Sequence, residues 1–395
     1  MKMRTLAMAL PLAMGASTVA FAADLPTREE MWQIIQKQQR ELDALKTQIG
    51  QGQKEAPAAA SQESGKGDKN WSERVKIGGL VKVDATAGKT FAGAKYSDIT
   101  VTEANLVADA TISDWSTGHV KIIYEEAPVD GIPADRNPLR LEEASITLGN
   151  PEKLPVYLTV GRLVTPLTTY TTNLIEDPLT LTLARSKETV AQVGFESNGV
   201  YGSGWVFNGD VNRTGQNDTA GQGGINLGYK VDNKTLKLDV GGGLTNSFED
   251  ANTISNVATV MPGVQDRISG LAAHATIGWN NFTLIGEFAS ATGGFQLIEL
   301  PFNGRGAKPS AWNTELGYTL NLMNKETTLS AAFQGSRESV ALALPERRYL
   351  AGVAVGIYDH TNLKLQFYRD KDYGLADGGT DRSVSVGKTE LVVDF

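Results

Sequence analysis

From Arg74 onward, apolar and polar positions alternate over segments of about ten residues, the period of a strand with two unlike faces. Leu271, Ala273, Ala275, Ile277 and Trp279 share one face, with His274, Thr276 and Gly278 opposite. Trp312, Thr314, Leu316, Tyr318 and Leu320 alternate with Asn313, Glu315, Gly317 and Thr319, and Trp205, Phe207 and Val211 are set against Asn208 and Asp210. Sixteen such segments are predicted: 75–86, 97–112, 117–126, 139–149, 155–163, 188–196, 201–212, 223–232, 234–246, 266–279, 281–291, 309–321, 325–336, 347–358, 361–371 and 384–395. An even number is what a single-chain antiparallel barrel requires.

The connections sort by length. Short ones, at 113–116, 150–154, 197–200, 233, 280, 322–324 and 359–360, alternate with long ones at 87–96, 127–138, 164–187, 213–222, 247–265, 292–308, 337–346 and 372–383. Strict alternation puts all long loops at one end, the asymmetry of a transmembrane barrel with short periplasmic turns. A soluble sandwich gives no reason for it. Tyr201, Trp205, Trp279, Phe282, Trp312, Tyr349 and Phe367 fall near strand ends and are expected to form interfacial girdles. The last segment carries Leu391, Val393 and Phe395 on one face and Lys388, Glu390 and Asp394 on the other. Phe395 is assigned to barrel closure. Its strand is expected to pair with 75–86, whose Val75, Ile77, Val81 and Val83 face outward beside it.

The preceding residues differ in kind. Lys2 and Arg4, an apolar run from Leu6 to Ala13 and Ala20-Phe21-Ala22 read as a secretory signal over 1–22. A helix is expected within 23–50, with capping-box spacing at Thr27 and Glu30 and a stop at Gly50. Met31, Ile35, Gln38, Leu42, Leu45 and Ile49 form a heptad seam, read as a periplasmic coiled coil that helps the chain form a homo-oligomer such as a trimer, with a docked amphipathic helix or an envelope tether as alternatives. Residues 51–73 read as a flexible linker, leaving 74–395 as the barrel.

Composition narrows the chemistry. The chain has 395 residues, no Cys and a formal charge of −8. Disulfides, thiolate metal sites and Cys nucleophiles are therefore excluded, and the acidity argues against nucleic acid. No stretch of eighteen apolar residues follows the leader, so no spanning helix is expected. His119, His274 and His360 are the only histidines. His274 alone is predicted mid-strand and lumenal, without a companion catalytic motif, so no enzyme is expected. Asp377–Asp381 and Asp130–Asp135 lack a ligand-rich spacing, and Gly241–Gly243 reads as a strand bend. No cofactor or metal is expected.

The candidate functional segment is the long, Thr-rich connection 164–187, whose size and polarity are awkward for surface coil. Tyr170, Glu176 and Asp177 lie on it, Arg162, Arg185 and Lys187 flank it, and Arg140 comes from a nearby strand. This set is assigned to a pore constriction, with the two carboxylates facing the basic groups across it.

Two resemblances add to this reading. The terminal strand with its Phe resembles the ending that barrel-assembly machinery reads. Glu142–Asn150, Pro155–Arg162, Asp177–Thr180 and Glu188–Gly194 resemble the LbtU-type siderophore porins of Gram-negative bacteria. That resemblance implies a signal peptide, a periplasmic coiled-coil helix, a barrel of about sixteen strands without a plug, and passive or facilitated uptake of a ferric siderophore. It also implies that the third loop folds into the barrel, as in general porins. Pro166 is followed by Leu167 and Thr168, where the family pattern often has an aromatic and Gly, so width or selectivity is expected to differ. A general sugar or ion porin, and a structural barrel that tethers the envelope, are the alternatives.

Overall fold

The structure, a computed structural model, describes residues 74–126, 139–150, 152–215, 219–258 and 263–395. The expected signal, coiled-coil seam and linker, and Asp130–Asp135, lie outside the described residues. The strands are β1 (Val75–Lys89), β2 (Lys95–Ser113), β3 (Ser116–Tyr124), β4 (Arg140–Gly149), β5 (Val156–Val164), β6 (Lys187–Ser197), β7 (Val200–Phe207), β8 (Gln222–Asp232), β9 (Leu236–Thr245), β10 (Gly270–Trp279), β11 (Phe282–Ala291), β12 (Pro301–Phe302), β13 (Arg305–Gly306), β14 (Ser310–Leu322), β15 (Lys325–Arg337), β16 (Arg347–Tyr358), β17 (Thr361–Lys371) and β18 (Ser383–Asp394). β12 and β13 form a two-residue hairpin inside a loop; the other sixteen close into one antiparallel barrel. Each predicted segment has its strand.

Closure satisfies the backbone, because a barrel has no edge to leave unpaired in an apolar medium. The seam joins β1 to β18, the expected partners, with Val81 opposite Val393 and Val83 opposite Leu391. Phe395 extends the ladder. Its N–H donates to Gly79 O at 3.0 Å and its carbonyl accepts from Gly79 N–H at 2.9 Å. Its ring lies over Gly79, where any side chain would collide with it.

Short turns alternate with long loops as the sequence implies, except that β1 and β2 extend toward each other and leave only 90–94 between them. The tight turns use the left-handed region that a two-residue hairpin needs. Asn198 (φ 51°) and Gly199 (φ 82°) join β6 to β7; Met323 (φ 51°) and Asn324 (φ 60°) join β14 to β15. His119 and His360 sit at this end, paired with Asp109 at 2.7 Å and Asp394 at 2.9 Å.

The outer face is an apolar belt. Ile225, Leu227, Leu244, Trp279, Phe282, Leu316 and Phe367 are all exposed on it, an extent that suits a bilayer and not water. The aromatic assignment needs one correction. Tyr201, Trp205 and Phe207 face inward, and Gly202, Gly204 and Val206 form the outer face of β7. Trp205 is only 3% exposed and packs in an interior apolar cluster. The strand ends at Phe207, and Val211 lies buried in the following loop against Val264. Large aromatics turn inward here because loops inside the barrel supply apolar partners.

Leu316, at the middle of β14 and 51% exposed, tests the lipid-facing assignment. Leu316→Lys should destabilise the barrel by about 2–4 kcal/mol in urea unfolding from liposomes, the cost of a cation near the bilayer midplane. A cost near zero would contradict the assignment.

Candidate functional site: a loop held inside the barrel

The loop between β5 and β6, residues 165–186 and here termed L3, enters the barrel and runs along the inner wall. Its backbone leaves the ladder at Thr165, so each N–H needs a new acceptor. The wall supplies them in sequence. His274 Nδ1 on β10 meets Thr168 Oγ1 at 2.8 Å and accepts from Thr169 N–H at 3.3 Å. Glu287 on β11 accepts Thr171 N–H at 2.8 Å. Glu315 on β14 accepts Thr172 Oγ1 at 2.6 Å and both the backbone N–H and Nδ2 of Asn173 at 2.8 Å. Gln366 on β17 accepts Ile175 N–H at 2.6 Å and Glu176 N–H at 3.2 Å. The Thr-rich composition now has a reason: Thr168, Thr172 and Thr180 add hydroxyl bonds to His274, Glu315 and Glu287 beside those of the amides.

At its far point L3 places Glu176 between Arg348 on β16, at 3.3 Å, and Lys388 on β18. Asp177 follows, with Lys82, Glu103 and Arg185 among its charged neighbours. The loop then turns back through the short helix α1 (Leu179–Ala184). Leu179 N–H reaches Gln334 Oε1 at 3.3 Å, and Thr180 Oγ1 donates to the second oxygen of Glu287. α1 buries Leu179 and Leu183 with Phe248, Phe295, Leu300 and Trp205. A second helix, α2 (Asn252–Ala258), ties on through Thr253 Oγ1 to Thr182 O at 2.6 Å. The loop before it holds two buried carboxylates, Glu249 and Asp250. Burial pushes both above the usual carboxylate range, against the hydrogen bonds from Ser247 and the backbone.

The predicted constriction residues fall in four places. Arg140, Arg185 and Lys187 converge on one carboxylate, Glu142, at 3.4, 2.8 and 2.6 Å. Glu142 is 2% exposed, and Arg140 also reaches Glu125. Glu176 and Asp177 lie at the far point of L3, where Glu176 is paired with Arg348 and Lys388 and not with that trio. Tyr170 packs against the interior apolar cluster, behind the loop. Arg162 pairs across the sheet with Thr189 and Ala144, the register of the outward set Leu158 and Val160. The charged frame continues with Lys82 and Lys121 on Glu103, at 2.8 and 3.3 Å, and Lys364 on Glu390 at 3.2 Å.

Glu142, Glu287, Glu315, Arg348 and Lys388 were not singled out from sequence. One signal was available. Strict alternation would send one of the adjacent Glu142 and Glu143 into lipid, so a bulge is required between them. The register shifts there, between Lys121 and Ile122, and both carboxylates gain the inner face.

No family model matches the chain. Two curated relatives are UPF0422 protein lpg2959 of Legionella pneumophila, 29% identical over 321 residues, and a UPF0422 protein of Coxiella burnetii, 23% identical over 305 residues. The first match covers 76% of this chain and 60% of the relative; the second covers 76% and 65%. The chain thus spans about three fifths of the length of these relatives, whose names assign no solute. Among solved structures, OmpF of Salmonella typhi, crystallised with daunomycin, superposes with a TM-score of 0.56 at 13% identity, covering 81% of this chain and 97% of that one. The anion-selective porin of Comamonas acidovorans gives 0.55 at 14%, covering 81% and 99%. The channel DcaP of Acinetobacter baumannii gives 0.52 at 12%, covering 81% and 97%. The chain has the fold of an outer-membrane porin. At these identities the likeness speaks for fold alone, and nothing in it ties the chain to the LbtU-type family.

Glu315 is fully buried and holds three donors of L3. Glu315→Ala should lower unfolding stability by about 3 kcal/mol, since the stranded donors lose charge-assisted bonds. It should also open residues 171–176 to limited proteolysis. A variant as stable and resistant as the parent would show that L3 is held by its apolar packing alone.

Proposed function

We propose that this protein is a bacterial outer-membrane porin through which small polar solutes diffuse passively. The observation that carries the reading is the course of L3. It is fixed inside the barrel, fills the side of β10 to β15 with side chains and helix α1, and leaves a charged frame facing β1 to β5 and β16 to β18. Arg140, Arg185, Lys187, Glu176 and Asp177 would border the remaining passage together with Lys82, Glu103 and Lys388. Arg162 and Tyr170 would act from outside that border. Lipid surrounds the apolar belt, assembly machinery reads the strand ending at Phe395, and copies of the chain associate as homo-oligomers.

The frame is nearly balanced. Its cations are paired with Glu103, Glu142, Glu176, Asp370 and Glu390. Neighbouring charges of opposite sign set up a local field that orients dipolar solutes without a strong preference for one sign. This favours a general small-solute porin. Uptake of a ferric siderophore is the finer reading, and it rests on the sequence resemblance.

Purified protein in planar bilayers should give stepwise, ohmic conductance. Folded protein that never conducts would defeat the porin reading. Arg185 is 35% exposed in the frame. Arg185→Glu should move the reversal potential in a salt gradient toward cation selectivity; an unmoved potential would place the passage elsewhere. For the siderophore, a deletion strain on iron-limited medium should fail to grow on the cognate ferric chelate. Normal growth on every chelate supplied would leave only the general porin.

A further inference from the structure

Behind the first leg of L3 lies a hollow of about 220 Å³ that the charged frame does not include. It is smaller than a pocket for drug-sized ligands, about 300–1,000 Å³, and has room for a single small ring. Two tyrosines lie flat on its wall. A Cβ at Gly194 would fall 2.3 Å from Tyr157 Cζ, and one at Gly228 would fall 2.2 Å from Tyr201 Cζ. Each ring therefore covers a glycine with one face and turns the other toward the hollow.

Two carboxamides stand beside them with unused valences. Asn226 Oδ1 accepts from Ser203 N–H at 2.6 Å and Ser203 Oγ at 2.9 Å. The backbone donor fixes the orientation of the amide, so Nδ2 points away from Ser203 and has no partner among the described residues. Gln192 Nε2 donates to Tyr157 Oη at 3.3 Å, and its Oε1 has no partner among the described residues. His274 closes one end. Its Nδ1 is engaged by L3, and its Nε2 meets Tyr201 Oη at 3.2 Å and Asp239 at 3.1 Å. Tyr201 also donates to Asp239 at 2.7 Å. Asp239 is thus occupied, and Lys230, 5.9 Å from the Tyr201 ring centroid, is held by Glu196 at 2.6 Å; the lining itself is hydroxyl- and amide-rich and aromatic.

We propose that this hollow is a binding subsite for a neutral polyhydroxylated solute, a single sugar ring. The C–H face of the ring would rest on the tyrosines, and adjacent hydroxyls would pair with Asn226 Nδ2 and Gln192 Oε1. A free anion finds no cation in the lining and would have to take Lys230 from Glu196, and an apolar solute would strand the amides. The inference deepens the porin reading and rests on it only for access of the solute to the lumen.

Isothermal titration of the full-length protein in detergent with D-glucose tests it. The parent should bind saturably. Asn226→Asp keeps the acceptor for Ser203 and removes the donor; Gln192→Leu removes the acceptor. Each should weaken glucose binding at least tenfold while the proteins keep the heat-modifiable gel mobility of a folded barrel. Should one variant fail to fold, the other still decides. No saturable binding by the parent, or undiminished binding in a folded variant, overturns the proposal. Bilayer conductance of the same preparations separates the two readings. Conductance without glucose binding removes the subsite and keeps the porin, and glucose binding without conductance does the reverse.

Discussion

A peptide segment that leaves the sheet and runs through the inside of a barrel gives up its ladder partners, and every amide must be satisfied again where water is scarce. L3 meets this demand with acceptors that project from the wall: His274, Glu287 and Glu315 on three successive strands, and Gln366 three strands further on. Glu315 shows the physics most clearly. It is wholly buried and has no ion-pair partner among the described residues; three donors from Thr172 and Asn173 converge on its carboxyl oxygens. Such bonds are short and directional, so they fix position as well as contributing stability. The position of Glu176, and with it the border of the proposed passage, follows from this ladder.

The return leg relies on another interaction. α1 has only six residues, too few to be stable alone. It persists because Leu179 and Leu183 are buried among side chains from several loops and from β7. The apolar cluster and the polar ladder lie on opposite legs of one loop and oppose the same movement. Trp205 and Phe207 belong to this arrangement, which is why their side of β7 faces inward while glycines and Val206 face lipid.

The barrel was legible in the sequence because its constraint is local. Alternation over ten residues, loop lengths and a terminal seam each report what a neighbouring strand requires, and parity puts Val81 and Val393 on one outer face, where the structure pairs them. The site was legible only in part. L3 could be picked out as too long and too polar for surface coil, and Arg140, Arg185 and Lys187 do come together. Their shared partner, Glu142, was hidden by a bulge that only its awkward doublet with Glu143 betrays. Glu287, Glu315 and Gln366 are separated from their L3 partners by more than a hundred residues, and no periodicity connects them. Lumenal parity says that a polar residue faces inward; it does not say which loop it meets. The inward turn of Trp205 failed to show for a related reason, since an aromatic near a strand end suits a lipid interface and an internal core equally well.

The pairing of charges bears on what such a passage can sort. Lone lysines and arginines around a lumen would raise the local concentration of anions, an effect that salt screens over about 10 Å at 0.1 M. Here Glu142 gathers three cations, while Glu103 and Glu176 each join two. A cation held by a carboxylate can release it only to a ligand that does as well in the same geometry. An entering anion must therefore compete with an internal partner, whereas a dipolar or hydroxylated solute can add bonds without displacing any. That asymmetry follows from the pairs themselves, and in the proposed porin it would turn selectivity away from net charge and toward the hydrogen-bonding pattern of the solute.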